Sequence, residues 1–149
     1  MQSKLLNEGE QRTYAVIYDK GDEFLASLKA FARENELDSS QFTGVGAFQD
    51  ITLGYFNPET MAYKKIPVKE QVEVLSLVGD IALTPEGEPE VHAHVVLGKS
   101  DATAVGGHIL EAHVWPTLEL VVTEYPDYLQ KRKDAETGLT LIDPNAAKE

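Results

Sequence analysis

The chain contains no cysteine, which excludes disulfides, thiolate metal sites and a cysteine nucleophile together. Any metal must be held by His, Asp or Glu. Positive charge is also scarce: 13 Lys and Arg stand against 25 Asp and Glu, a formal net charge of −12. A field of that sign repels phosphate backbones over most of the surface. Direct DNA binding by the chain is therefore not expected, and the one dense basic run, QKRKD at 130–134, reads as a solvated helix face. There is no apolar run near the roughly 18 residues that a membrane helix needs, and MQSKLLNEGEQR lacks the apolar centre and cleavage site of a signal peptide. A cytoplasmic protein without a membrane partner is the expectation. Nor is there a Gly-X-Ser-X-Gly elbow or a phosphate-cradling glycine pattern, so the usual serine-hydrolase and nucleotide-binding arrangements are absent.

What is present is enough for one domain: 149 residues, 42% of them hydrophobic, a length and composition that can bury a sizeable core. RTYAVIY at 12–18 is rich in aromatic and β-branched residues and reads as a strand. After it the period changes. Phe24, Leu25, Leu28, Phe31 and Ala32 recur at three- and four-residue spacing, which predicts a helix over about 22–36 with Asp22 as its N-cap. The runs FTGVGAF, ITLGYF, AYKKIPV, QVEVLSLVGDIAL, EVHAHVVLG, GHILEAHV and TLELVVTEY then follow as strands. Their connections are mostly too short for parallel crossovers, so antiparallel pairing should dominate. Helical character returns weakly in PDYLQKRKDAE, and GLTLIDPNAAKE is read as an edge strand or a partly flexible tail. The expected fold is of the α/β class in its α+β form: a mainly antiparallel sheet flanked by helices.

Two details of the strands bear on assembly and backbone geometry. QVEVLSLVGDIAL becomes apolar on both faces at Leu75 to Val78, which marks a central strand or one covered by a second subunit. Gly79 within it suggests a bulge or a close backbone approach. For Gly44 and Gly46 the favoured reading is turn geometry at strand ends.

All four histidines lie between residues 92 and 113. In VHAHVVLG, alternation puts His92 and His94 on one strand face, about 6.6 Å apart along the backbone. Rings pivoting inward from there can both reach one ion at about 2.1 Å. GKSDATAVGG can turn the chain back and bring His108 beside them, with Gly106 and Gly107 allowing close approach. The metal set is therefore His92, His94 and His108, for a divalent transition metal, zinc first, since imidazole suits zinc, nickel, copper and iron alike. The competing reading is three histidines hydrogen-bonded to carboxylates or carbonyls, with Glu88, Glu90 and Glu111 near in sequence. Metal affinity should fall below about pH 6.5, where free histidine protonates. His113, five residues past His108, faces the other side of a strand and falls outside the set. Glu119, a charge in the otherwise apolar TLELVV, should sit near the histidine strand as a supporting partner or base, or else face solvent or a subunit interface.

The order GVGAF, VEVLSLVGDIAL, EPEVHAHVVLG, VGGHILEAHV, TLELVV resembles the plant and prokaryote conserved (PPC) domain over about residues 12–125. Residues 1–11 then form an N-terminal extension and 126–149 a C-terminal helix or edge segment of the same domain. HAHV followed at this distance by GGH, with the LxG strand ahead of it, carries most of the resemblance. It implies a compact domain that assembles as a homotrimer and whose histidines, at His92, His94 and His108 here, look like a metal or ligand site. In plants the domain follows an AT-hook, the basic element that contacts DNA, and itself mediates trimer formation and partner binding. No Arg-Gly-Arg-Pro core occurs in this chain, so a DNA-binding label would be inherited without the element that touches DNA. Two functions stay open: a trimeric binding or assembly module, with a protein or small-molecule partner, and a metal-dependent enzyme acting on a small molecule.

Overall fold

The computed structural model describes residues 1–7, 9 and 11–146. Strand β1 (Gln2–Asn7) pairs antiparallel with β2 (Thr13–Tyr18). Alternation in TYAVIY sends Tyr14, Val16 and Tyr18 into the core, as the two-residue strand period requires. The one helix among the described residues, α1 (Phe24–Glu34), buries Phe24, Leu28, Phe31 and Ala32 along one face. Its Phe24 ring meets Phe42 and Phe48 edge-on, at 6.2 and 6.0 Å between centroids. Each such buried ring contributes about 1.5–3 kcal/mol through area removed from water.

The helix starts one residue later than the sequence suggests. Glu23, not Asp22, caps it, its Oε2 accepting from the Ala26 amide at 2.6 Å. Asp22 turns the other way and accepts from the Asp19 amide. Glu23 wins because its longer side chain also reaches the strand beneath, where Oε1 accepts from the Ala112 amide at 3.2 Å.

Pairs of strands that looked separate in sequence are continuous. FTGVGAF and ITLGYF lie in β3 (Ser39–Asn57), and GHILEAHV and TLELVVTE lie in β7 (Ala104–Glu124). With β4 (Ala62–Val68), β5 (Val72–Leu83) and β6 (Pro89–Gly98) they form one antiparallel sheet in the order β1-β2-β7-β6-β5-β3-β4. Because β3 also pairs with β7, the strands β3, β5, β6 and β7 close into a ring around the core. Closure needs sharp bends. Gly46 supplies one: its φ is +150°, the β3–β5 register shifts between Gly44 and Gly46, and a Cβ there would stand 2.3 Å from the Thr117 carbonyl oxygen. Gly44 and Gly46 are therefore sites of bulge and close approach inside a strand, not end-of-strand turns. Gly79 is also a close approach, since a Cβ would meet the Phe42 ring at 2.3 Å and the His92 carbonyl oxygen at 2.4 Å.

Among the described residues the flanking helices reduce to one. PDYLQKRKDAE is not helical; Lys131–Lys133 form β8, which pairs antiparallel with β9 (Thr140–Ile142). Three features override the weak helical pattern. The Leu83 amide takes the Leu129 carbonyl at 2.8 Å, Asp134 folds a turn by accepting from Thr137, and Gly138 adopts φ +72°. The consequence is a hairpin laid against the end of β5, with Lys131 only 3% exposed where the sequence suggested a solvated face. No helix among the described residues is long and apolar enough to cross a membrane.

Candidate metal centre

The sheet register assembles the histidines. His94 pairs with His108 across β6 and β7, and Asp80 pairs with His92 across β5 and β6. Paired residues in an antiparallel ladder project from the same face, so four polar side chains emerge together. The return from β6 to β7 is a tight turn, closed by Lys99 and Thr103 at 2.9 Å with Ala102 at φ +63°. Gly106 lets the strands close, since a Cβ there would lie 2.6 Å from the Val95 carbonyl oxygen.

The rings converge. Their centroids are 5.1 to 5.4 Å apart in all three pairs, and one nitrogen from each lies within 4.8 Å of the other two. The Nε2 atoms of His92 and His94 are 3.2 Å apart. Two nitrogens bound at about 2.1 Å to one tetrahedral ion stand about 3.4 Å apart, so this pair is close to the spacing of shared ligands. Two lone pairs facing at that distance repel unless a proton or cation lies between them.

The surroundings favour neutral rings that keep a free lone pair. Burial, with the neighbouring His92, His94 and Lys131 charges, pushes the His108 imidazolium down to about 4. Burial and then His92 lower His94 as well. Neutral imidazole is the metal-binding form. Asp80 Oδ2 stands 3.4 Å from His92 Nδ1, close enough for the carboxylate to orient the ring from the side away from the other histidines once a ligand draws Nε2 inward. His108 stacks on Tyr63 at 4.7 Å and 22°. That contact exists because Gly54, opposite His108, has no Cβ; one would lie 2.8 Å from the Tyr63 ring. Nδ1 of His108 is buried with no hydrogen-bond partner among the described residues, an uncompensated polar atom of the kind that bound ions satisfy.

The other two candidates lie elsewhere. His113 is outside the cluster, its Nδ1 2.9 Å from Asp50 Oδ1, and that contact raises its pKa. Glu119 is exposed on β7, opposite Val45 and Ile17, and belongs to no metal-binding group among the described residues. Its exposure places it away from the histidine cluster, so it is not a supporting partner of those rings. The motifs singled out in the sequence do not include Asp80 or Tyr63, and the sequence pattern puts Lys131 on a solvated face rather than at the site. Asp80 had a signal, a charge inside an apolar strand one residue past a glycine, whereas Lys131 reaches the site only through the hairpin fold-back.

A cavity of about 310 Å³ adjoins the cluster, lined by His92, His108, Tyr63, Glu90, Lys131 and residues of β9 among others. Asp80 Oδ1, buried and without a hydrogen bond among the described residues, lies 3.8 Å from Lys131 Nζ.

A family model described as the Plants and Prokaryotes Conserved (PCC) domain matches residues 6–126. Three solved structures are similar over nearly their whole length. A plant- and prokaryote-conserved protein of Pyrococcus horikoshii is 31% identical, with 98% of this chain and 97% of that one covered and a TM-score of 0.83. A protein of Bacteroides thetaiotaomicron described as a proposed DNA-binding protein is 29% identical, with coverage of 95% and 96% and a TM-score of 0.84. A metal-containing protein of Archaeoglobus fulgidus is 26% identical, with coverage of 95% and 96% and a TM-score of 0.81. No curated protein matches significantly.

Proposed function

The chain belongs to the Plants and Prokaryotes Conserved domain family, and from that premise we propose that it is a homotrimeric binding module whose His92, His94 and His108 hold a divalent transition metal, zinc first. The observation that carries this is the convergence of three ring nitrogens within 4.8 Å of one another, with a carboxylate oxygen 3.4 Å from His92 Nδ1. The metal content of the Archaeoglobus relative points the same way. Zinc suits a cysteine-free, all-imidazole donor set and completes a tetrahedron with a fourth ligand. Among the described residues the group has three members, which leaves that fourth position to water or a small molecule. Protein purified without a histidine tag should carry zinc stoichiometrically by elemental analysis. Protein that takes up no zinc, nickel or cobalt on reconstitution would overturn the reading.

The trimer is supported by the face on which the site sits. One row across the sheet runs His108, His94, Val78, Thr43, Val121, Ala15, and around it Val45, Leu75, Val78, Val96 and Val121 are each 45–59% exposed. The next row, His92, Asp80, Gln41, Thr123 and Thr13, is polar. A bounded apolar patch on a strand face is what a second copy covers. Light scattering should give about three times the 16.4 kDa chain mass. Leu75→Glu combined with Val121→Glu should yield folded monomer, because both side chains are exposed in the single chain. A monomeric wild type at micromolar concentration would remove the trimer from the reading.

DNA contact is not part of the proposal, although the Bacteroides relative is described in those terms. The charge of −12 per chain multiplies on assembly, and Lys131, the first of the three residues of the dense basic run, is buried, which leaves Arg132 and Lys133 as its exposed cations. No salt-sensitive gel shift with duplex DNA is expected at physiological salt; sub-micromolar binding would contradict this.

The second reading, a metal-dependent enzyme on a small molecule, is favoured by one observation: the cavity of about 310 Å³ that opens against His92 and His108. An enclosed structural metal site has no use for such a space.

A further inference from the structure

Lys131 is the most deeply buried charge among the described residues, 3% exposed, and it lines the cavity beside the histidines. A buried ammonium demands a counter-charge. The one it has is incomplete: Asp80 Oδ1 is 3.8 Å away, beyond hydrogen-bond distance, and the other oxygen of the same carboxylate serves His92. With a divalent ion on the histidines, the cavity wall would carry two positive centres side by side. Leu139, Leu141 and Val91 supply an apolar flank, and Glu90 adds a carboxylate that accepts hydrogen bonds and repels a second negative charge. The volume is at the low end for ligand pockets, which run from about 300 to 1,000 Å³.

We infer that this cavity takes a small aliphatic monocarboxylate, its carboxylate held between Lys131 and the metal's open position, its short carbon body against Leu139 and Val91. Glu90 favours a ligand with a hydrogen-bond donor, such as a hydroxy acid, and disfavours dianions such as phosphate monoesters. The hairpin β8–β9 then has a purpose beyond closing the fold, since it carries both the cationic anchor and the apolar wall. The inference rests on the metal reading, and it is separable from it by experiment.

The test uses full-length protein loaded with cobalt(II), whose visible spectrum reports both occupancy and a change of ligand. Lactate is the probe, lactamide the uncharged control and inorganic phosphate the dianion control. Wild type should take up cobalt and shift its spectrum saturably with lactate, with little response to lactamide or phosphate. Lys131→Met, which keeps the volume of the buried chain, should take up cobalt equally and bind lactate roughly tenfold or more weakly, as expected for loss of a charge-assisted contact. Lys131→Arg, which restores the charge, should recover part of that affinity; it also covers the case in which Lys131→Met fails to fold. Cobalt uptake with no lactate response, an equal response to lactamide, or lactate binding unchanged in both Lys131 variants would overturn the inference while leaving the metal centre intact. Failure to bind cobalt at all would overturn both.

Discussion

Zinc affinity is expected to collapse in His92→Ala, His94→Ala and His108→Ala and to be unchanged in His113→Ala. Each of the first three removes one of three convergent nitrogens. Even the loss of a partner that merely orients a ligand costs about 10–100-fold, so loss of a ligand should exceed about 100-fold. Asp80→Asn should fall within the lower range, because the amide keeps the shape of the carboxylate and loses the charge that aligns His92. His113 is engaged with Asp50 and contributes nothing to the ion. Competition titration with a chromophoric chelator separates these outcomes. Equal affinity in all five variants would mean that the histidines are ordinary packed residues and the metal sits elsewhere.

The pH dependence follows from the same geometry. Burial lowers both His94 and His108, the latter to about 4, from the ordinary value of 6.5. Protons therefore compete for these rings at lower pH than they would for free imidazole, and zinc release should centre below pH 6.5 rather than at it. Without metal, the lowered His108 pKa makes the folded chain bind fewer protons than the unfolded chain between 6.5 and about 4. Stability from this residue is thus present above pH 6.5 and lost as pH falls through that window. Thermal melts of metal-free His108→Gln should lose that part of the acid sensitivity.

How much of this was legible beforehand depended on range. The pair His92 and His94 follows from strand alternation alone, and His108 from a turn with few possible returns; both are local rules, and the structure obeys them. The site's supports are non-local. Asp80 faces His92 only because β5 and β6 adopt one register, and Lys131 arrives from 37 residues beyond His94 by way of a hairpin pinned to Leu83. The basic run misled because Lys and Arg favour helices intrinsically, while the backbone bond from Leu83 to Leu129 and the turns at Asp134 and Gly138 decide the outcome. Gly44 and Gly46 read as end-of-strand turns because glycine is the usual turn residue. In β3 they are where the strand bends and continues.

Gly46→Ala tests that last point and should be the most destabilising single-methyl change in the sheet. Two costs add. Residue 46 sits at φ +150°, a conformation that costs an L side chain roughly 1–3 kcal/mol. Its Cβ would also stand 2.3 Å from the Thr117 carbonyl oxygen and 2.7 Å from the Leu118 Cα. Both are backbone atoms of β7 and cannot rotate away, so relief requires the strands to part, at roughly a further 1–3 kcal/mol. The sum, about 2–6 kcal/mol, is a large share of the 5–15 kcal/mol that holds a domain together. Gly87→Ala is the control: φ is also positive there, +81°, but nothing lies within 4 Å of its Cβ. It should cost only the conformational part, roughly 1–2 kcal/mol. Urea denaturation of both variants measures the difference. If Gly46→Ala were no more destabilising than Gly87→Ala, β3 and β7 would not be locked together at the bend, and the closure of the ring that brings Gly54 under Tyr63 and His108 would need another explanation.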